Sequence, residues 1–373
     1  MDSESAKNSD YKIRFSLDLM KNLYQRDKNL VFSSFSLTSA LLMLLIGSKN
    51  QTRKNIFKFI FGSENELLLA SSMNEIDKFI LENKNLITSF NMIYTDKRLP
   101  INSYYIDKLN EIHHGSVQSL DFTQIDATRK LINNEIREAT NGRISEMIES
   151  LRSDIIMILI NAISFKGIWK YKFNKEQSFQ GEFVNSTGKH IPTTMMRIEA
   201  HLQYCEFRES KLSFVKIPYA SGTMSMLIAK SHHCDRSDWL NELDIDELSK
   251  LIVEFSSLHQ TSKIDLIMPK FTIQSNHDLA PIIKRMGLID IFDARANFSN
   301  ISNENLFVSD ILQKAIIEVT EDGTEAAAAT AIMMARCVSQ TIAFKIDRTF
   351  IFFLISEIDN QILFAGIVED PNN

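Results

Sequence analysis

The order of hydrophobic patterns along the chain predicts an α+β fold built as one domain. Segments with helical spacing dominate before Ile155, and β-branched runs dominate after it. Chains that segregate helices from strands in this way usually form α+β folds. The 373 residues include only 6 Pro and 11 Gly and no Pro/Gly/Ser-rich linker, which favours one compact unit over residues 1–373.

Helical spacing in the first part of the chain predicts six helices and two short strands. Ile13, Leu17 and Met20 recur near a 3.6-residue period, which is typical of an amphipathic helix. The segment 37–46 is almost entirely apolar, so its helix must be buried on most sides. The predicted helices cover 10–27, 37–46, 52–61, 64–81, 102–113 and 126–150, with a break at Asn141-Gly142, and the strands cover 29–32 and 86–94.

The apolar run Ile155–Phe165 predicts a central strand that is covered on both faces. Asn161 interrupts this run, and a buried amide without partners costs on the order of a few kcal/mol. We therefore interpret Asn161 as a hydrogen-bonded structural residue rather than a catalytic one. Further strands are predicted over 179–183, 201–207, 213–217, 224–229, 263–268, 315–319 and 349–355, with a helix over 278–286.

Charge and composition exclude several classes of partner. The net charge is −6 and no long basic run is present, so we expect no nucleic-acid partner. The N-terminus is polar and lacks the pattern of a secretory signal, and no apolar run is long enough to span a bilayer. Three widely spaced cysteines then predict free thiols. We expect a cytoplasmic protein, or one released without a classical signal peptide, and no membrane partner.

The motifs of common catalytic and cofactor sites are missing from the sequence. It contains no G-x-S-x-G, G-x-G-x-x-G or Walker A pattern, and its adjacent histidines do not have the spacing of metal ligands. Cys337 beside Arg336 is a possible reactive thiol, but no pattern supplies the histidine that a cysteine hydrolase needs. The expectation is a protein that is not an enzyme and that has no metal or cofactor.

The segment 318–337, EVTEDGTEAAAATAIMMARC, has two interpretations from its residues alone. Thr324 as an N-cap and the following alanines favour a helix. Thr324, Thr330 and Arg336 scatter around the helical wheel, however, so no apolar stripe forms. The alternative is a long exposed loop whose small side chains would fit a crowded sheet if the loop were inserted.

Several blocks of the sequence together resemble the serpins, in particular the intracellular, signal-less, ovalbumin-like branch. The most specific blocks are FKGIW and EDGTEAAAAT, and the similarity extends over essentially the whole chain. The other matching blocks are VFSSFSLTSALLMLLIGSKNQTRKNI, TNGRI, KIPY, IMPKF, MGLIDIFD and ILFAGIVEDP.

This resemblance implies a metastable fold of three β-sheets and about nine helices with an exposed reactive-centre loop, here about 321–342. A target protease would attack the loop, form an acyl-enzyme, and be trapped when the loop inserts into the main sheet. The resemblance implies a hinge at the start of the loop, where small side chains permit rapid insertion. The hinge residues are Glu321, Gly323, Thr324, Glu325, Ala326, Ala327, Ala328 and Ala329.

Two positions compete for the cleaved bond. Counting forward from Glu321 by the family's usual spacing places the specificity residue at Cys337, and the bond at Cys337-Val338. Matching relatives with Met-Met-x-Arg-Cys loops instead places the bond at Arg336-Cys337. We favour Arg336, because its charge suits a trypsin-like pocket with an acid at its base.

The resemblance also implies two structural sites in the main sheet. The breach, where the loop would enter, comprises Trp169, Lys270 and Glu321. The shutter, under the middle of the sheet, comprises four polar residues. These are Ser33, Ser36, Asn161 and Gln313.

The shutter and one surface helix depart from the family pattern. Gln313 stands where the family usually has His, and because Gln both donates and accepts, we expect the network to persist without pH sensitivity. The acidic and apolar segment 67–83 replaces the family's basic helix, so no heparin site is expected.

The sequence therefore predicts a monomeric suicide-substrate inhibitor that forms a covalent complex with trypsin-like serine proteases. Two alternatives remain open: a non-inhibitory serpin acting as a binding or chaperone-like protein, and a cross-class inhibitor of papain-like cysteine proteases.

Overall fold

The computed structural model describes residues 3–111, 115–232, 243–322 and 341–373. The α-helices in these ranges are α1 Ser3–Leu23, α2 Ser34–Gly47, α3 Asn50–Phe61, α4 Leu67–Glu82, α5 Ser103–Asn110, α6 Ile125–Ala139, α7 Ile245–Ser257 and α8 Ala280–Arg285. The strands are β1 Leu30–Phe32, β2 Ile87–Asp96, β3 Ser116–Leu120, β4 Met157–Lys166, β5 Phe179–Val184, β6 His190–Phe207, β7 Leu212–Pro218, β8 Met224–Ser231, β9 Thr261–Pro269, β10 Phe271–Asp278, β11 Asp310–Val319, β12 Ile342–Lys345, β13 Phe350–Ser356 and β14 Ile362–Val368. None of the described helices is long and apolar enough to cross a membrane.

The strands form two hydrogen-bonded networks. Five strands pair in the order β10-β11-β4-β2-β3, and the other nine follow the order β1-β14-β13-β8-β7-β6-β9-β12, with β5 added on β6. The 18-residue strand β6 connects two parts of the larger network, because its start pairs with β5, its middle with β9 and its end with β7. Dividing the network at β6 gives the three sheets that the resemblance implies. The α+β class is confirmed.

Strands β4 and β11 are direct parallel neighbours in the middle of the five-stranded sheet. Their paired residues run without a gap from Ile158 opposite Asp310 to Lys166 opposite Glu318. No strand lies between them over this whole register. We call this junction the seam.

Helix α2 is buried almost completely, as its apolar sequence predicts. It starts at the N-cap Ser33, whose hydroxyl accepts a hydrogen bond from Ser36 N at 3.0 Å. Its contacts with β2, β4 and β14 place it between the five-stranded sheet and the last hairpin. The main hydrophobic core surrounds it. Consequently α2 presents its first turn to the seam from inside the protein.

The other face of the five-stranded sheet is covered by α6 and the chain that follows it. The helix predicted over 126–150 is wrong after its break at Gly142, because α6 ends at Ala139 and the next residues are not helical. Ile144, Met147 and Ile148 have helical spacing but reach a small separate core on the sheet from irregular backbone. Asn133 fixes that backbone, since its Oδ1 accepts from Met147 N at 3.0 Å and from Ile148 N at 2.9 Å.

Candidate functional site at the seam

A row of polar side chains crosses the five-stranded sheet through the seam. The register pairs His277 with Gln313, Gln313 with Asn161, and Asn161 with Asn91. The four residues therefore occupy equivalent positions on β10, β11, β4 and β2. Residues paired across strands share a face of the sheet, and this face is the one that packs on α2.

Gln313 binds the backbone at the start of α2 and also binds across the seam. Its Oε1 accepts from Ser33 N at 3.0 Å, and its Nε2 donates to Ser33 O at 2.9 Å. The same Nε2 donates to Asn161 Oδ1 at 2.6 Å. Gln313 and Asn161 are both fully buried, so this amide contact joins β4 to β11 in a region without bulk water.

Asn161 extends the network from the seam to α2 and β2. Its Nδ2 donates to the backbone oxygen and the hydroxyl of Ser36 and to Asn91 Oδ1. Asn91 in turn donates to Ser39 Oγ at 3.2 Å. The Ser33 hydroxyl donates to Leu363 O at 2.6 Å, which ties the network to β14. The four predicted shutter residues therefore lie together in one hydrogen-bonded group.

The histidine at the end of the row was not anticipated by the sequence reasoning. Burial lowers the pKa of His277, while its hydrogen bond to Val31 O, at 3.0 Å, opposes that shift. Gln313 itself cannot titrate. The expectation of a pH-insensitive network is therefore incomplete, because a titratable ring lies on the neighbouring strand.

The breach lies at the far end of the seam, where β11 ends. Trp169 follows the FKG turn after β4, and its Nε1 donates to Thr320 O at 2.8 Å while its backbone N donates to Asp322 O at 3.1 Å. The Trp169 ring stacks on Tyr219, with centroids 4.2 Å apart. Gly167 is required here, because a Cβ at this position would come within 2.3 Å of the Tyr219 ring. These contacts hold the chain directly before the predicted loop.

Glu321 is the central charged residue of the breach. It is 5% exposed, and its carboxylate accepts from Lys270 Nζ at 2.9 Å and from Ser178 Oγ at 3.2 Å. Burial acts to raise the pKa of Glu321, but the Lys270 hydrogen bond and charge, aided by Ser178, outweigh it and lower that pKa. Glu321 therefore stays ionised in its buried position.

Two further ion pairs surround the breach. Lys166 Nζ contacts Glu318 Oε1 at 2.7 Å across the last paired position of the seam. Lys175 Nζ contacts Asp322 Oδ1 at 3.0 Å, and its hydrogen bond is the main reason why the pKa of Asp322 is lowered. Both pairs are partly exposed, so each contributes little on its own.

Most of the predicted loop lies outside the described residues. This applies to Arg336 and Cys337 and to every predicted hinge residue except Glu321. Those other hinge residues are Gly323, Thr324, Glu325, Ala326, Ala327, Ala328 and Ala329. The described chain reaches Asp322 after β11 and resumes at Thr341 before β12, which pairs with β9 in parallel.

The sequence reasoning missed Asn91, His277 and Tyr219 as members of these sites. Asn91 and His277 share their face of the strand with apolar residues, Ile87 and Ile93 on β2 and Phe271 and Ile273 on β10, which is a partial signal of an inward position. Their alignment with Asn161 depends on the strand register, which the sequence of one strand does not specify.

Comparison of the sequence with protein families gives a match to serpin (serine protease inhibitor) over residues 10–371. The chain belongs to the serpin family. Human Serpin B3 is 28% identical over 389 residues, which cover 97% of this chain and 99% of that protein. The predicted recognition is therefore confirmed.

Solved serpin structures share the fold over nearly the full length. Uncleaved ovalbumin superposes with a TM-score of 0.86 and 26% identity, covering 98% of this serpin and 100% of that chain. Human thyroxine-binding globulin complexed with thyroxine has a TM-score of 0.86 and 23% identity, covering 100% of both chains. The ovalbumin match agrees with the predicted branch, and the second match shows the fold alone.

Proposed function

We propose that this serpin is a suicide-substrate inhibitor of trypsin-like serine proteases, cleaved after Arg336. The observation that carries the proposal is the closed seam. β4 and β11 pair directly over their full shared register, and the predicted loop begins where β11 ends. A segment that follows β11 and turns back at the breach would enter between these two strands and run antiparallel to both.

The composition of the loop supports insertion. Thr324, Ala326, Ala328 and Thr330 alternate along the chain, so they would point to one face of an inserted strand. One face of the five-stranded sheet packs on α2 and the other lies beneath α6, and both faces are already close-packed. Small uncharged side chains are therefore the ones that can enter at low cost.

The specificity rests on Arg336. A guanidinium forms charge-assisted hydrogen bonds with a carboxylate at the base of a trypsin-like pocket. The competing scissile bond, Cys337-Val338, would instead place a small thiol in the pocket of the protease.

The test is incubation with trypsin, followed by denaturing electrophoresis and mass spectrometry. The expected product is a detergent-stable complex, with release of a fragment that begins at Cys337. A fragment that begins at Val338 would move the specificity residue to Cys337. Cleavage without any stable complex, at every ratio of serpin to trypsin, would contradict the inhibitor proposal and favour a non-inhibitory role.

Two variants separate recognition from trapping. Arg336→Ala is expected to abolish complex formation with trypsin, because the pocket loses its charged ligand. Thr324→Glu is expected to leave cleavage intact but to yield mostly cleaved serpin and free trypsin, because a charge at the first inserting position slows insertion. If Arg336→Ala still traps papain-like proteases, the target class is cysteine proteases instead.

Further properties follow from the same proposal. We propose that the protein acts as a monomer in the cytoplasm and without heparin activation. The α4 segment supports the last point, because its acidic residues Glu75, Asp77 and Glu82 outnumber its single basic residue, Lys78. Unchanged rates of protease inhibition with and without heparin are expected.

A further inference from the structure

A cavity beside the breach has features that the inhibitory mechanism does not use. Its volume is about 280 Å³, and it lies between the β7–β8 hairpin, β6 and the chain that follows β4. From its lining we propose that it binds a small organic anion, a carboxylate with an apolar body. Protease inhibition does not require this site.

Two buried hydroxyl groups in the cavity wall lack partners. Tyr219 is 1% exposed and Ser225 is fully buried. Neither the Tyr219 Oη nor the Ser225 Oγ has a hydrogen-bond partner among the described residues. Buried hydroxyls nearly always have one, because an unpaired polar group is costly in an apolar interior. A ligand with a polar group that reaches Tyr219 Oη would supply the missing partner of that hydroxyl.

Strand register explains why several polar side chains lie together near Ser225. Gln203 is paired with Lys216 and also with Thr261, and Ser225 is paired with Pro218. Paired residues share a face of the sheet, and residues two apart on one strand, such as Lys216 and Pro218, share it as well. Polar residues from β6, β7, β8 and β9 therefore share one face of the sheet, and all of them line the cavity.

The charges around the cavity favour an anion. Lys170 and Lys216 both line it, and Glu357 is the one acidic residue among its described lining residues. Glu357 is bonded to Lys216 at 3.2 Å, so its charge is already matched. Lys170 is exposed and stands 5.6 Å from the centre of the Tyr171 ring. The remaining positive charge on Lys170 is available to a carboxylate.

The rest of the lining favours an apolar body on that ligand. Leu202, Pro218 and Met224 contribute to the wall, together with the Tyr171 ring. Small-molecule sites typically combine such apolar walls with a few convergent polar groups. The volume is that of a compound with a single ring rather than a peptide.

The proposed site is connected to the breach through one stacked pair of rings. Tyr219 forms a wall of the cavity and stacks on Trp169 at an interplanar angle of 12°. Trp169 in turn holds Thr320 at the end of β11. A ligand against Tyr219 therefore lies one residue away from the indole, which makes Trp169 a natural reporter of binding.

The experiment monitors Trp169 fluorescence in the full chain. The protein has only two tryptophans, Trp169 and Trp239, so the Trp239→Phe variant isolates the signal. The probes are benzoate and 4-hydroxybenzoate, with benzamide as the neutral analogue and benzylamine as the cationic one. Saturable responses with Kd on the order of 1 mM are expected for both carboxylates. At least tenfold weaker binding is expected for benzamide, and none for benzylamine.

A matched pair of tyrosine variants tests the hydroxyl directly. Tyr219→Phe is expected to leave the melting temperature unchanged or higher, because it removes an unpaired buried hydroxyl, and to weaken 4-hydroxybenzoate binding about tenfold. Tyr105→Phe is the control, since that buried hydroxyl donates to Met43 O at 2.9 Å. It is expected to lower the melting temperature and to leave binding unchanged.

A charge variant tests the role of the positive charge on Lys170. Lys170→Glu is expected to weaken binding of both carboxylates more than tenfold. The proposal is overturned if neither carboxylate gives a saturable response up to about 10 mM. It is also overturned if the probes bind equally well regardless of charge, or if Tyr219→Phe lowers stability as Tyr105→Phe does while binding is unchanged.

Discussion

The shutter and the breach stabilise the region around the seam by different physical means. The shutter joins Gln313 to Asn161 through neutral amides that are fully buried. The breach joins Glu321 to Lys270 through charges, and the lysine side chain is 44% exposed. Neutral buried hydrogen bonds are insensitive to salt and, without a titratable partner, to pH, whereas ion pairs near the surface respond to both. The middle of the seam and its breach end should therefore respond to different conditions.

The largest expected effect is at the shutter, from Asn161→Ala. This change removes the buried hydrogen bonds that Asn161 makes with Gln313, Ser36 and Asn91, so it should lower the free energy of unfolding by about 3 kcal/mol. The measurement is the midpoint of urea unfolding, compared at low and high salt. The exposed Asn134→Ala on α6 is the control and should change stability by less than about 0.5 kcal/mol. If the loss of stability in Asn161→Ala becomes much smaller at high salt, the predicted difference in salt sensitivity between the shutter and the breach is wrong.

A smaller effect is expected at the breach, from Lys270→Ala. Because the lysine is partly exposed, the expected loss is about 1 kcal/mol at low salt and less at high salt. The wild-type pKa of Glu321 is lowered, so its contribution is present above the ordinary carboxyl pKa and is lost as pH falls through the folded value. In Lys270→Ala the folded pKa of Glu321 should rise, so this acid-dependent loss should become smaller than in the wild type.

Unfolding midpoints between pH 3 and 7 measure this loss. Lys263→Ala removes a lysine from an exposed pair with Glu199 on β6 and serves as the control. If both lysine variants behave alike, the buried position of Glu321 has no special role.

The smallest expected effect concerns the histidine at the end of the shutter row. The pKa of His277 is lowered by burial, so the unfolded chain binds the proton more readily. Stability is therefore complete above about pH 6.5 and falls as pH drops from there through the folded pKa. His277→Gln should remove this decrease, whereas His201→Gln, at an exposed position, should retain it. If the stability of wild type and His277→Gln depends on pH in the same way, the prediction that His277 makes the shutter row sensitive to pH is wrong.

Local patterns were sufficient for the elements whose packing is simple. The apolar segment of α2 and the β-branched run of β4 must be buried on nearly all sides, and the residue types alone are enough to predict such burial. The same reasoning predicts that Asn161 is a hydrogen-bonded structural residue, since a buried amide in such a run needs partners. The family resemblance then supplied its neighbours in the shutter.

Long-range pairing is what the residues alone could not provide. Ile144, Met147 and Ile148 have helical spacing, yet Asn133 binds their backbone in an irregular path across the sheet. Tertiary contact overrode the local periodicity there. Likewise, no property of His277 within its own strand places it beside Gln313, because that depends on the register between β10 and β11.

The order of contacts along the seam also sets the order in which it can open. From the breach end, the pair Lys166–Glu318 comes first, and the Gln313–Asn161 pair lies five positions further along the same ladder. Separation that starts at the breach thus breaks a partly hydrated ion pair before it reaches the dry amide contact. The ion pair is therefore a weak barrier to strand separation at the breach end, and the amide contact is a stronger barrier near the middle of the seam. A segment that inserts from the breach would separate the ion pair easily, and it would insert fully only after separating the amide pair.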